Sequence, residues 1–331
     1  MMQTDALTTL EAEYAATQTG CVMYDSSARG RLKISGSTCL DFLHRMSTND
    51  LLNLSVGQGA ATVFTTPLAR IIDRTLQYVR ADDILMLTSH AAQARMMAWL
   101  RKYIFFNDDV QIADQTKELG MLSIYGPKAN AMVQQLIGLD LSRIALHHWR
   151  EGRLDQASIL IARADPIAGS GFHLNAAANA LPQLRQSLIE AGAIPIGDHA
   201  YELLRIEAGQ PAYGHELTED YIPLEAGLWA DVSFSKGCYT GQEIIARMES
   251  RQRVAKQLVG LRFEAEVAPL AELSIEGSQV GRVTSTARSP RHGWIGLGYL
   301  KAAQANVGQV VQSRFEEQAV TGQVAALPFQ S

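Results

Sequence analysis

The chain has 331 residues, 47% of them hydrophobic and 19% charged; this exceeds one ordinary core, so two or three packed units are expected. Its 29 basic and 34 acidic side chains leave a formal charge of −5 and a pI near 5.9, which excludes a global field for nucleic acid. Arg247, Arg251, Arg253 and Lys256 supply one candidate for a local basic patch.

From Met1 to Ala16 polar and apolar residues alternate, with Asp5, Glu11 and Glu13 among them. This is not the basic start and apolar run of a secretory signal. Gly30 to Ser35 alternates like a half-buried strand, and Gly36-Ser37 turns into a helix through Leu40, Leu43 and Met46. Strands are expected at Gly59–Thr65, Arg74–Arg80 and Ile84–Thr88. Ala94, Met97, Leu100 and Ile104 then follow helical spacing, with Ser89 as the expected N-cap. A strand over Met121–Tyr125 ends at Gly126-Pro127, before a helix through Met132, Leu136 and Ile137. Asp198 begins a helix that Gly209 closes.

Several strand pairs have connections too short for a crossover helix, so the class is α+β with mostly antiparallel sheets. After about residue 252 the pattern changes. Gln257–Phe263, Gln279–Ser285, Trp294–Tyr299 and Gln309–Phe315 are short strands between turns rich in Gly, Ser and Pro, which predicts a small C-terminal β-barrel or sandwich. The expected division is therefore 1–252 and 253–331.

Cys21, Cys39 and Cys238 are odd in number and far apart, with no CxxC and no Cys/His pair at metal-ligand spacing. Neither a disulfide framework nor a structural zinc site is expected. No segment reaches the ~18 apolar residues of a membrane span. The expected setting is cytoplasmic, away from membranes. The eight histidines include no i, i+4 pair, and Gly169-Ser170-Gly171 lacks the Lys-Ser/Thr of a P-loop.

The chemistry concentrates in residues 204–247. Six acidic residues precede Lys236 there, a poor composition for a core, so Glu207 and Glu225 are either solvated or hydrogen-bonded in a site. In Lys236-Gly237-Cys238-Tyr239-Thr240-Gly241-Gln242-Glu243, Thr240 and Glu243 have capping-box spacing. Cys238 would then lie two residues before a helix N-terminus, where the dipole and Lys236 both favour thiolate. The alternative is a small residue in a tight turn.

That octet resembles the signature of the YgfZ family. Arg205, Glu207, Gly209, Tyr213-Gly214, Glu216, Pro223, Glu225 and Gly227-Leu228 resemble the folate site of the glycine-cleavage T-protein and of dimethylglycine-oxidase-like proteins. Tyr24 to Gly30, Phe42-Leu43, Ser47 to Asp50, Gly281 to Ser285 and Ser289-Pro290 match the same YgfZ/GcvT superfamily. The resemblance implies three lobes in a ring around tetrahydrofolate or a one-carbon derivative. It places Glu207 against the pterin, where a carboxylate accepts the adjacent N–H donors of the 2-amino group and N3. It also places Arg205, Tyr213, Glu225 and Lys236 around the folate, with Lys236 steering the glutamate tail. For Tyr213, Lys236 and Arg205 the alternatives are a core tyrosine, a solvated turn lysine and a surface ion pair.

T-proteins carry an acid pair in the pattern G-G-I-x-D-D. Here Leu68-Ala69-Arg70-Ile71-Ile72-Asp73-Arg74 keeps Asp73, the candidate catalytic acid, and puts Arg74 in place of the second. A cation there would repel a developing positive nitrogen. The resemblance thus implies a folate-binding accessory protein for assembly or repair of iron–sulfur enzymes, including those that modify tRNA, with Cys238 as the functional thiol. Its partners would be those enzymes or their assembly factors. Three cysteines are too few to hold a four-cysteine cluster in one chain. Two alternatives stand beside it: a folate-dependent aminomethyltransferase, and a binding module without folate.

Overall fold

The computed structural model describes residues 2–250, 254–316 and 318–329. Arg251 and Arg253, half of the expected basic patch, lie outside the described residues, as does the boundary expected at 252–253. The chain divides into two compact units: Met1–Phe64, Asp73–Ala200 and Asp231–Thr240 form the first; Thr65–Ile72, Tyr201–Ala230 and Gly241–Ser331 form the second.

The first unit begins with helix α1 (Met2–Thr19) and strand β1 (Val22–Asp25). Next come β2 (Arg29–Ser35), α2 (Cys39–Met46), β3 (Gly59–Thr65), β4 (Ile71–Val79), β5 (Asp83–His90) and α3 (Gln93–Lys102). A short β6 (Gln111–Asp114) leads to β7 (Leu119–Tyr125), α4 (Ala129–Ile137), β8 (Trp149–Leu154), β9 (Ala157–Arg163), β10 (Gly171–Ala177), α5 (Leu181–Glu190) and β11 (Ile194–Pro195). One sheet has the order β3-β4-β5-β2-β6 and the other β11-β1-β7-β10-β9-β8. β1 runs parallel to β11, and β1–β7, β7–β10, β10–β9, β9–β8, β4–β5, β5–β2 and β2–β6 are antiparallel.

The two sheets repeat one topology. Each runs strand, helix, three-stranded meander, helix, and each returns its first strand beside the last strand of the meander. The equivalent first turns use Gly36 at φ 110 and Gly126 at φ 121, conformations that favour glycine. Both carbonyls then accept the N–H three residues on, from Cys39 at 3.2 Å and Ala129 at 3.1 Å.

Period-two alternation decides which side chains meet. Leu76 and Tyr78 of β4 and Leu85 and Leu87 of β5 pack with Met121, Leu160 and Ala162, so the two sheets of this unit share a core. The opposite face of the second sheet sends Leu122, Ile124, Ile159, Ile161, Phe172 and Leu174 against Met132 and Val133 of α4 and Leu184 and Leu188 of α5. Each such side chain, fully buried, contributes about 1.5–3 kcal/mol.

The second unit contains most of α6 (Asp198–Glu207), α7 (Gln242–Ser250) and the strands β12 (Lys256–Phe263), β13 (Glu272–Ile275), β14 (Ser278–Ser289), β15 (Gly293–Lys301), β16 (Val310–Phe315) and β17 (Gln318–Ala325). These close into a barrel in the order β12-β15-β14-β13-β16-β17. The β12–β17 ladder closes the ring, so no strand is left as an open edge. Leu261, Leu273, Val283, Leu300 and Val311 fill the interior. The mixed α+β class, the antiparallel sheets and the C-terminal barrel agree with the expectation.

Two helix starts differ from it. Ser89 lies in β5, and α3 begins at Gln93 behind Ala92, whose side chain makes no cap. The turn between them relies on Ala91 at φ 61. Thr240 is not the N-cap of α7. Gly241 has φ 85, outside the helical region, and its carbonyl receives the N–H of Ile245 at 3.4 Å. The helix starts at Gln242, and Cys238 precedes it by four residues. The expected dipole effect on the thiol therefore lacks its basis, since it is confined to the first turn. Among the described residues no helix is long and apolar enough to cross a membrane.

Candidate functional site

Asp73 and Arg74 are neighbours on β4 and so point to opposite faces of the sheet. Asp73 is fully buried. Its Oδ2 accepts the backbone N–H of Ser89 at 2.9 Å, and its Oδ1 has no partner. Burial raises its pKa to about 6, against the opposing pull of Ser89 and Arg29. The structure gives Asp73 a backbone bond and no access to solvent.

Arg74 faces the space between the two sheets of the first unit. Its Nε donates to Asp231 Oδ2 at 2.6 Å, and its Nη1 donates to Asp165 Oδ2 at 3.0 Å. Burial alone would lower the pKa of Arg74, but the two carboxylates outweigh it and raise it. Burial would likewise raise that of Asp165, but Arg74 outweighs it and holds the carboxylate ionised, well below its usual range. The cation expected at this position is present, and two carboxylates pair with it. One guanidinium between two carboxylates leaves a formal −1.

His147 joins this cluster with Nε2 3.6 Å from Asp165 Oδ1. Its backbone is left-handed at φ 62, uncommon for a residue with a side chain. Burial lowers its pKa, and although Asp165 opposes this the ring is held neutral. Its Nδ1 is buried without a partner, as is the hydroxyl of Tyr78. Behind them His173 Nδ1 and Ser123 Oγ lie 2.8 Å apart, and Ser123 Oγ is 2.6 Å from Ser26 Oγ. Burial takes His173 down to about 3, so it stays neutral at physiological pH. The sequence reading passed over Asp165 and His147; the Asp165-Pro166 step and the paired histidines were its only local signals.

The octet is anchored by its lysine. Lys236 Nζ donates to the carbonyls of His44, Ser47 (2.7 Å) and Asn49 (2.8 Å), and so caps the C-terminal end of α2. An ammonium has three protons, and all three have acceptors. It also lies 5.0 Å above the Tyr239 ring. Burial lowers its pKa to about 8. The structure thus gives Lys236 a structural task. Cys238, two residues on, is exposed, whereas Cys21 is buried and Cys39 half-buried.

The remaining candidates belong to the second unit. Glu207, the last residue of α6, is half-buried, and its Oε1 accepts the Ser289 hydroxyl at 2.5 Å. Its carbonyl accepts the N–H of Phe329 at 2.8 Å. Arg205 precedes Glu207 by two residues on α6. It is buried among Glu202, Glu216, Ser285 and the carbonyl of Gln210, with Glu216 Oε2 at 3.0 Å. The hydroxyls of Thr284 and Ser285 donate to the other oxygen of Glu216, so this buried pair is fully hydrogen-bonded and fixes α6 on the barrel. Glu225 is buried too. It accepts the N–H of Ile222 at 3.2 Å and of Lys256 at 3.1 Å, pinning the start of β12. Tyr213 is half-buried in a one-residue bridge to Leu217.

Residues 3–236 match the GCVT N-terminal domain, and residues 256–330 match the glycine cleavage T-protein C-terminal barrel domain. The chain belongs to the glycine cleavage T-protein family. Among its relatives, the chloroplastic Arabidopsis thaliana protein At1g60990, named only provisionally as a transferase, is 35% identical over 95% of this chain and 72% of that protein. The aminomethyltransferase of Halalkalibacterium halodurans is 30% identical over 97% of this chain and 89% of that enzyme. A crystal structure of the glycine cleavage system aminomethyltransferase T from Bartonella henselae superimposes with a TM-score of 0.86, at 23% identity and over 97% of this chain and 89% of that one. At that identity the superposition speaks for the fold alone.

Proposed function

We propose that this protein binds a reduced folate, tetrahydrofolate or a one-carbon derivative, and works as a folate-dependent transferase of the aminomethyltransferase kind. Membership of the family over both of its domains carries this reading. The two carboxylates that pair with Arg74 support it, because a site for a nitrogen that becomes positive needs anionic groups near it. Glu207 is the carboxylate proposed to take the pterin's adjacent N–H donors, because the motif that resembles the family's folate site places it there. The test is calorimetry with tetrahydrofolate, joined to an assay for methylene-tetrahydrofolate made from an aminomethyl donor. Binding and turnover support the reading; binding without turnover leaves folate binding and removes the transferase.

A second reading rests on the octet. An exposed Cys238 on a segment tethered by Lys236 suits a thiol offered to a partner. Under this reading the chain is a YgfZ-type folate-binding protein of the cytoplasm. It serves iron–sulfur enzymes or their assembly factors, including enzymes that modify tRNA, without itself binding nucleic acid. A Cys238→Ala variant that fully restores cluster-enzyme activity in a deletion strain would eliminate that role for the thiol.

A further inference from the structure

We propose that Asp165 supplies the negative charge that meets a basic nitrogen of the bound folate, and that Arg74 is the positioning residue that holds it there. This rests on the folate reading above.

The charge count comes first. Arg74 contributes +1, Asp165 and Asp231 contribute −2, and the His147 ring is neutral. With Arg29, which faces the same place, the formal charges balance, and the question is which of the two carboxylates stays open to a guest. Asp231 is the enclosed one. Its side chain is 8% exposed, it takes the closer bond from Arg74 at 2.6 Å, and its carbonyl receives the Thr48 hydroxyl at 2.6 Å. The Asp165 side chain is 20% exposed, against 15% for Arg74, and makes longer contacts of 3.0 and 3.3 Å to it. Asp165 is therefore the carboxylate with open surface and spare acceptor capacity.

The second observation is independent of charge. Tyr78 is fully buried, His147 is 6% exposed, and both carry polar atoms without a protein partner, the Tyr78 hydroxyl and His147 Nδ1. Both lie within electrostatic reach of Asp165 and Arg74. A buried donor or acceptor left alone costs about 1–3 kcal/mol, so these atoms call for a polar guest. The charged and titratable groups facing this place are Arg29 from β2, Arg74 and Tyr78 from β4, His173 from β10, and His147, Asp165 and Asp231 from the connections. Among them only the two aspartates can attract a cation. A carboxylate fixed before the ligand arrives, in a poorly solvated place, stabilises a positive nitrogen far better than it would in water.

This assignment has a readout that does not depend on turnover. A nitrogen brought beside Asp165 becomes more basic, so binding below neutrality takes up protons. Calorimetry of the full-length protein with tetrahydrofolate at pH 6, in buffers of different ionisation enthalpy, counts them. Wild type is expected to take up a measurable fraction of a proton. Asp165→Asn should lose that uptake and bind about tenfold more weakly, the equivalent of one pKa unit of differential interaction. Asp165→Glu should keep the uptake, and so should Asp231→Asn, which breaks the same Arg74 network without removing the open carboxylate. Equal uptake in wild type and Asp165→Asn overturns the inference. If Asp165→Asn does not fold, binding without uptake in wild type overturns it as well. No binding heat from wild type sinks the folate reading itself, and this inference with it.

Discussion

The guanidinium of Arg74 meets the carboxylate of Asp231 at 2.6 Å and so ties strand β4 to the segment that ends in the octet. The same Arg74 reaches Asp165, just beyond β9. One cation thus joins three stretches of chain in the first unit.

Removing it should be costly. Arg74→Ala leaves two carboxylates and a neutral histidine partly buried without a counter-charge, and a loss of about 3–5 kcal/mol is expected. Arg74→Asp, which writes the acid of the T-protein pattern back into the chain, should be worse, because it adds a third carboxylate to the other two. Urea denaturation of both variants checks the order. Equal stability of wild type and Arg74→Asp would mean that the ion pairs do not hold the unit together.

Asp73 gives a pH signature. Its pKa is raised from 3.8 to about 6 by burial, so between these values the folded state binds more protons than the unfolded state. Its contribution to stability is fully present below about pH 4 and is lost as pH rises through about 6. Asp73→Asn keeps an oxygen for the Ser89 N–H and has no charge to bury. The variant should therefore gain on wild type between pH 4 and 7, as read by denaturation midpoints. A constant difference across that range contradicts the assignment.

Gly241 should not tolerate a side chain. At φ 85 an alanine is already strained, and its Cβ would lie 2.7 Å from Thr65 Oγ1 and 2.9 Å from the Thr66 carbonyl. Left-handed backbone alone costs about 1–2 kcal/mol, and the contacts add to it. Gly241→Ala should lower the thermal midpoint by several degrees, whereas Gly237→Ala, with nothing within 4 Å of its Cβ, should have little effect.

The cysteines should react in a fixed order. Cys238 is exposed, Cys39 half-buried and Cys21 buried, and burial pushes the Cys21 thiol up to about 12. Native protein treated with a chromogenic disulfide should label Cys238 first, Cys39 more slowly, and Cys21 only on unfolding. Mass spectrometry of the labelled peptides reads the sequence of events.

Local pattern carried much of the fold. The alternation at Gly30–Ser35, the strand at Gly59–Thr65 and the four predicted barrel strands were legible because each has its own period and its own turns. Strands β8 to β10 were not, since β9 is buried on both faces and shows no alternation. Helix starts failed where an unforeseen left-handed residue, Ala91 or Gly241, set the turn.

The candidate site was less legible, for a physical reason. Arg74 read as a lone cation because its carboxylates are 91 and 157 residues away. Lys236 read as a lysine for the folate tail or a solvated turn lysine because its acceptors are backbone carbonyls 187 to 192 residues distant, and a carbonyl leaves no mark in a sequence. Arg205, Glu216 and Glu225 lie in the recognised motif, yet their partners are hydroxyls and backbone amides of the barrel and its approaches.

Binding of tetrahydrofolate to the purified protein, measured calorimetrically for wild type and Glu207→Ala side by side, tests the account at its centre. A saturable heat in wild type, lost or weakened at least tenfold in a variant that still unfolds cooperatively, is the predicted result. No heat and no rise in thermal midpoint at saturating ligand in wild type would contradict it, because a ligand that binds the native state must stabilise it.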